Sequence, residues 1–232
     1  IAGQHNLWTH VDAALAGSAA ILPEKRWMLE GIGLADSFVF NPHKWLFTNF
    51  DCSAFFCRHP DILQETLAIT PEYLRTEQDR RVTNYRDWGI PLGRRFRALK
   101  LWFVLRYYGI SGLQALLREH LRLAVEFSRW IEEAGDFELS APVPLNTVCF
   151  RFTPERVASC RPEPEELDRL NAELLAAVNR TGRIYITHTR LKGRYCLRLS
   201  IGQIQTGPED VRQAWETIRR AAEDVLAQAG KP

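Results

Sequence analysis

The sequence predicts an α/β domain followed by a small α+β unit. Three observations predict it. Over the first sixty residues, short apolar runs that end in polar or turn residues alternate with helix-like pieces. A helical period then runs from Phe96 to Gly135. Alternating strands and two amphipathic helices fill the remainder.

Each element has its own signal. Residues 8–14 read as a buried strand that ends in an acid and small side chains. Pro23 precedes a helix expected over 24–30. Residues 36–40 read as a second strand, stopped by Asn41-Pro42. Residues 51–57 read as a third, closed by His59-Pro60. Residues 70–83 are polar, carry Pro71, and include Glu77-Gln78-Asp79-Arg80-Arg81. Such a stretch reads as a mobile loop, and long polar loops in compact domains often serve as lids. Phe96, Leu99, Trp102 or Phe103, and Arg106 recur at helical spacing up to Gly109. Leu113, Leu116, Leu117, Leu121, Ala124, Phe127 and Ile131 continue the period. Two helices meeting near Gly109–Gly112 would connect two domains, 1–108 and 109–232. In the second, residues 147–152 alternate, with Val148, Phe150 and Phe152 on one face. A linker with Pro162 and Pro164 leads to a helix marked by Leu167, Leu170, Leu174 and Val178. Strands around 184–186 and 195–201 follow. A last helix should run from about Pro208 to Ala229.

Composition excludes several function classes. Of the 232 residues 46% are apolar and 25% charged, which suits a packed soluble core and not a disordered chain. The formal net charge is +2 and the basic residues are scattered, so neither nucleic acid nor a membrane surface is an expected partner. No apolar run approaches the roughly 20 residues that span a bilayer. Five cysteines, Cys52, Cys57, Cys149, Cys160 and Cys196, form no CxxC pair, so no metal site is expected. Cys149 and Cys196 lie in apolar runs and read as small buried side chains, consistent with a reducing cytoplasm. His5, His59, His120 and His188 share no ligand spacing and read as structural or exposed. The seven tryptophans read as core.

The chemistry concentrates around Lys44. A lysine directly after an apolar strand and an Asn-Pro turn places an amine at a strand end in an apolar, partly enclosed setting. Desolvation there would favour the neutral amine, which can condense with an aldehyde. Asp12 also ends an apolar strand. The two stand 32 residues apart, about the length of one crossover unit. Both could therefore reach one edge of the sheet, where α/β ligands bind. That pairing suits pyridoxal phosphate: the lysine carries the cofactor and the acid keeps the pyridine nitrogen protonated. The same two residues would serve equally as solvent-exposed strand termini.

The motifs His10-Val11-Asp12-Ala13-Ala14 and Asn41-Pro42-His43-Lys44-Trp45 resemble those of the group II pyridoxal-phosphate decarboxylases. The aromatic-L-amino-acid decarboxylases are the nearest group. The resemblance continues through Asn49-Phe50-Asp51-Cys52-Ser53, Tyr73-Leu74 and the stretch 90–103, and persists to Trp215. It implies the C-terminal part of a fold-type I large domain plus the small C-terminal domain. It implies a carboxy-lyase that converts an aromatic L-amino acid to its amine and carbon dioxide. Lys44 would hold the cofactor as an imine, Asp12 would pair with the ring nitrogen, and Ala14 would pack on a ring face. Asn41 would help hold the phosphate and His43 would support the site. Tyr73 would protonate the substrate carbon after decarboxylation. Leu92 and Gly93 would reach the neighbouring subunit's site in a homodimer, so the active site would lie at the subunit interface.

The resemblance also bears on the outcome of the reaction. Related aldehyde synthases usually carry Phe where this chain has Tyr73, and a phenolic proton donor favours the amine. A Gly at position 93 tends to accompany bulky substrates such as indoles or catechols. Two alternatives remain: an oxygen-dependent aromatic aldehyde synthase, and a catalytically incompetent piece that retains only a dimerisation surface. The chain starts where the family is about halfway through. Alone it is expected to be inactive and to expose an unfinished sheet edge.

Overall fold

The computed structural model describes residues 1–69, 71, 77, 81–154 and 164–229. Tyr73, most of the loop expected over 70–83, Cys160 and Pro162 lie outside the described residues. The chain divides into two compact units, Ile1–Gln114 and Ala115–Pro232.

The first unit is organised on a three-stranded sheet. Its strands are β1 (His10–Asp12), β2 (Ser37–Phe40) and β3 (Ala54–Cys57), in the order β1-β2-β3. β1 and β2 are parallel, with Asp12 opposite Val39. β3 is antiparallel to β2, with Phe55 opposite Val39. The first and third strands are shorter than expected. Neither is fully enclosed: Trp8, His10, Asp12, Phe55 and Phe56 are exposed.

The parallel connection runs through three 3-10 segments, Ala16–Ile21, Pro23–Leu29 and Ile32–Leu34. The helix expected over 24–30 is thus a 3-10 segment. Pro23 opens it, and Gly31, with φ 80°, follows it. Seven residues between those breakers are too few to nucleate a stable α-helix.

The helices of this unit are the four-residue α1 (Pro42–Trp45), α2 (Pro60–Leu67) and the start of α3 (Arg97–Glu133). α3 is broken at Gly109, where φ is 63° and ψ 170°. That left-handed φ is what glycine permits at no steric cost, so the expected junction falls at Gly109. The apolar stripe Phe96, Leu99, Trp102 and Phe103 remains exposed, although its spacing predicts a buried face. The tryptophans divide likewise. Trp45 is fully buried and Trp130 and Trp215 pack against the core, whereas Trp8, Trp27 and Trp102 are exposed.

The second unit is a four-stranded antiparallel sheet covered by helices. Its strands are β4 (Phe137–Leu139), β5 (Thr147–Phe152), β6 (Thr187–Leu191) and β7 (Arg194–Ser200), in the order β4-β5-β7-β6. The helices are α4 (Pro164–Arg180) and α5 (Pro208–Ala229). Val148, Phe150, Phe152, Leu197 and Leu199 join Leu170, Leu174, Val178, Val211 and Ile218 in one core. The strand alternation delivers that apolar face as expected. Cys196 is buried, but Cys149, on the other face of β5, is only half-buried.

The strand expected around 184–186 begins later, at Thr187. The side chain of Asn179 explains the difference. It accepts from the Ile186 amide at 2.9 Å and donates to the Ile186 carbonyl at 3.0 Å. Ile186 therefore bonds to α4 instead of the sheet. The β6–β7 turn, Lys192-Gly193, has φ of 51° and 80°. Positive φ at both positions is the two-residue hairpin geometry that fixes register, here Leu191 opposite Arg194. Asn171 repeats the amide device at Phe152, with bonds of 2.8 and 2.9 Å.

A charged centre ties α4 to the sheet. Arg151 is 1% exposed and donates to Asp168 at 2.7 Å and to the Tyr195 carbonyl at 2.8 Å. Arg190 binds the other Asp168 oxygen at 2.8 Å. Burial pushes the Asp168 carboxyl up, but the Tyr195 amide and the two guanidiniums outweigh it and hold it below the usual range. His120 is buried too. Burial pulls its imidazole down, against a backbone hydrogen bond at Gln203 and the charge of Glu119.

Removing one partner of a buried pair strands the other charge. Asp168→Ala should therefore cost about 3 kcal/mol in denaturant unfolding. A loss near zero would contradict this account of the α4–sheet contact.

Candidate active site

The site follows from the parallel pairing of β1 with β2. Because the strands run the same way, both finish at one edge of the sheet. Asp12 closes β1, and Asn41 to Lys44 follow directly after β2. Two further bonds continue the pairing beyond the strands. The Ala13 amide donates to the Val39 carbonyl at 2.9 Å, and the Asn41 amide donates to Ala14 at 2.9 Å. Asp12 Oδ1 accepts the Ala14 amide at 2.9 Å, which fixes the carboxylate against its own turn. The stretch 10–14 and the stretch 37–41 are thus aligned residue by residue.

The turn after β2 presents Lys44. Pro42 sets φ at the first position of α1. The Lys44 amide donates to the Asn41 carbonyl at 2.9 Å. Trp45 is fully buried and anchors the turn, whereas Lys44 beside it is exposed. The enclosed apolar setting expected around Lys44 is not supplied by the described residues. Asp12 is exposed as well. β1 and β3 are the edge strands of a three-stranded sheet.

The neighbours of Lys44 are ordered. Ser53 Oγ donates to Asn41 Oδ1 at 2.6 Å. With Oδ1 engaged in that bond, the Nδ2 hydrogens remain as the donors Asn41 can offer to an anion. His43 Nδ1 lies 2.6 Å from the Cys52 carbonyl oxygen and 3.0 Å from the Cys52 amide nitrogen. In either tautomer Nδ1 is engaged by Cys52, and the opposite nitrogen, Nε2, is the one left to act on a ligand. The Phe50 and His43 rings pack in a T-shape with centroids 4.8 Å apart. Ala14, half-buried, sits two residues after Asp12 on the same edge.

The structure brings Asp12, Ala14, Asn41, His43 and Lys44 to one edge. Leu92 and Gly93 are exposed in the irregular stretch before α3, and among the described residues no hydrogen bond joins them to that edge. Tyr73 lies outside the described residues.

A group without an assigned role also converges here. Arg97 Nε donates to Asp51 Oδ2 at 3.0 Å, and Lys100 Nζ donates to the carbonyls of Asn49 and Asp51 at 2.9 and 2.6 Å. Burial pushes the Asp51 carboxyl up, but a backbone hydrogen bond and the charges of Arg97 and Lys100 hold it below its usual range. Sequence reasoning assigned these residues no function, because nothing local signals a pairing across some fifty positions.

The model of the pyridoxal-dependent decarboxylase conserved domain matches residues 1–153. The chain belongs to this family. It is 43% identical over 225 residues to tyrosine decarboxylase 1 of Narcissus pseudonarcissus, covering 96% of this chain and 44% of that protein. It is 43% identical over 228 residues to phenylacetaldehyde synthase of Arabidopsis thaliana, covering 97% of this chain and 46% of that one. The crystal structure of Oryza sativa TDC with PLP and tryptamine superposes with a TM-score of 0.89 at 38% identity. It covers 96% of this chain and 46% of that one. The chain therefore spans about half the length of the relatives it matches. The expected architecture, part of a fold-type I large domain with a small α+β domain, is the one these neighbours share.

Gly17 shows how tightly this family's edge is packed here. Its amide donates to Ala13 at 2.7 Å, and a Cβ on Gly17 would overlap Cβ of Phe40, the last residue of β2. Since Phe40 Cβ cannot move without its backbone, Gly17→Ala should destabilise the protein by about 1–3 kcal/mol. An unchanged melting temperature would contradict this packing.

Proposed function

We propose that the protein carrying this chain is a pyridoxal-phosphate-dependent decarboxylase of aromatic L-amino acids, yielding the amine and carbon dioxide. One observation carries the proposal: Asp12 and Lys44 stand at the same edge of adjacent parallel strands. The donor set suits the cofactor. Lys44 offers a primary amine to its aldehyde carbon, Asp12 offers a carboxylate to its ring nitrogen, and Asn41 Nδ2 offers hydrogens to its phosphate. Bound there, the cofactor supplies a sink for the electron pair left when carbon dioxide departs.

The remaining roles belong to the chain's own side chains. Asp12 holds a proton on the ring nitrogen. Ala14 packs on a ring face, where a small side chain leaves room for a flat ring. His43, held by Cys52, supports the site beside Lys44. Tyr73 delivers a phenolic proton to the substrate carbon, which directs the product to the amine. Gly93 leaves space for a bulky indole or catechol. Leu92 and Gly93 reach the site of a second copy, so the working unit is a homodimer. In this reading residues 1–108 belong to the cofactor domain, with its loop at 70–83, and 109–232 form the small domain. Among the described residues no helix is long and apolar enough to cross a membrane. We place the enzyme in the cytoplasm, a reducing setting that suits its free thiols Cys52, Cys57, Cys149 and Cys196.

A second reading has specific support. The identity to the Arabidopsis phenylacetaldehyde synthase equals that to the Narcissus tyrosine decarboxylase. Product analysis separates the two. Supplied with pyridoxal phosphate and a panel of aromatic L-amino acids, the protein should release carbon dioxide and the amine in equal amounts. Tyr73→Phe should shift the product toward aldehyde. An aldehyde from the unaltered protein would establish the second reading, and no turnover of any aromatic amino acid would sink both.

A further inference from the structure

A chain of hydrogen bonds leads from α3 to the residue before Lys44. The stretch from Asn49 to Ser53 forms neither helix nor strand. Its backbone is therefore ordered by other groups. Lys100 supplies two of these contacts: its Nζ donates to the carbonyls of Asn49 and Asp51 at 2.9 and 2.6 Å. Arg97, one turn earlier on α3, binds the Asp51 carboxylate at 3.0 Å. Cys52 follows at once in the chain and is 4% exposed. Its carbonyl meets His43 twice, at Nδ1 (2.6 Å) and at the backbone amide (3.3 Å). His43 is the residue before Lys44.

We propose that Lys100 is a positioning residue for Lys44, fixing the Asn49–Cys52 backbone that in turn fixes His43 and the α1 turn. The proposal rests on the reading of Lys44 as the cofactor lysine. Lys100 is a charged donor shared between two carbonyls, and charge-assisted bonds are roughly twice as strong as neutral ones. α1 has only four residues, of which Pro42 and Trp45 are buried, and a helix that short has little rigidity of its own. Without Lys100, the backbone that grips His43 loses two of its restraints and keeps the Arg97–Asp51 pair. The amine of Lys44 would then sample a wider range of positions relative to Asp12, and displacements near 1 Å can cost about a hundredfold in a reacting geometry.

The test uses the full protein carrying this chain, with Lys100→Met, Lys100→Gln and Lys44→Ala. Two readouts besides turnover report on the site: the dissociation constant for pyridoxal phosphate, and the pH midpoint of the violet absorbance of the lysine-bound cofactor. Lys100→Met should weaken cofactor binding about tenfold and move the midpoint. Lys100→Gln, which keeps amide donors without the charge, should lie between it and the unaltered protein. Should Lys100→Met not fold, the same two readouts on Lys100→Gln decide. A fall in melting temperature alone, with affinity and midpoint unchanged, would mean a merely structural lysine and overturn the proposal. Persistence of the violet band in Lys44→Ala would overturn the reading of Lys44, and this proposal with it. Loss of the band there, together with unaltered values in the Lys100 variants, would overturn this proposal alone.

Discussion

Everything at the site depends on the parallel alignment of β1 with β2. An antiparallel pair would send the Asp12 carboxylate and the Lys44 amine to opposite edges of the sheet. The parallel register, Asp12 against Val39, brings both strands to an end together. The alignment continues past the strands through the Ala13–Val39 and Asn41–Ala14 bonds. Pro42 then turns the chain, so the lysine arrives within one helical turn of the strand's end. Gly17 is required by the same arrangement, because only a residue without a side chain passes so close to Phe40.

The two units keep their order by different means. The second has a continuous apolar core, with Phe127, Phe150, Phe152 and Leu197 fully buried. It also uses polar side chains as substitutes for strand neighbours. Asn171 and Asn179 each satisfy both backbone groups of one residue, Phe152 and Ile186. The first unit has fewer buried side chains around its sheet. Its order near Lys44 comes from polar contacts: Ser53 to Asn41, Cys52 to His43, and Lys100 to the loop between them. Phe55, Phe56, Phe96 and Phe103 remain exposed in this unit.

Much of this was legible in the sequence, for identifiable reasons. Long periodic segments carry their own signal, so α4, α5 and the break at Gly109 fall where the pattern places them. Clean alternation located β5 and β7. The common edge of Asp12 and Lys44 followed from two apolar strands one crossover apart. The misses have local causes. Pro23 and Gly31 leave too short a window for the α-helix expected over 24–30. The side chain of Asn179 takes the hydrogen bonds of Ile186, so β6 starts late, and Lys192-Gly193 sets its register. The enclosure expected around Lys44 is a property of neighbours, which a lysine's own flanking residues cannot encode. The Lys100 contacts span about fifty positions and leave no periodic trace.

The central claim is that Lys44 is the residue that carries the cofactor. The most direct measurement is borohydride reduction of the protein loaded with pyridoxal phosphate, followed by peptide mapping. The account predicts a single phosphopyridoxyl group, on Lys44. A label on Lys25, Lys100 or Lys192 instead, or no label on any lysine, would contradict it.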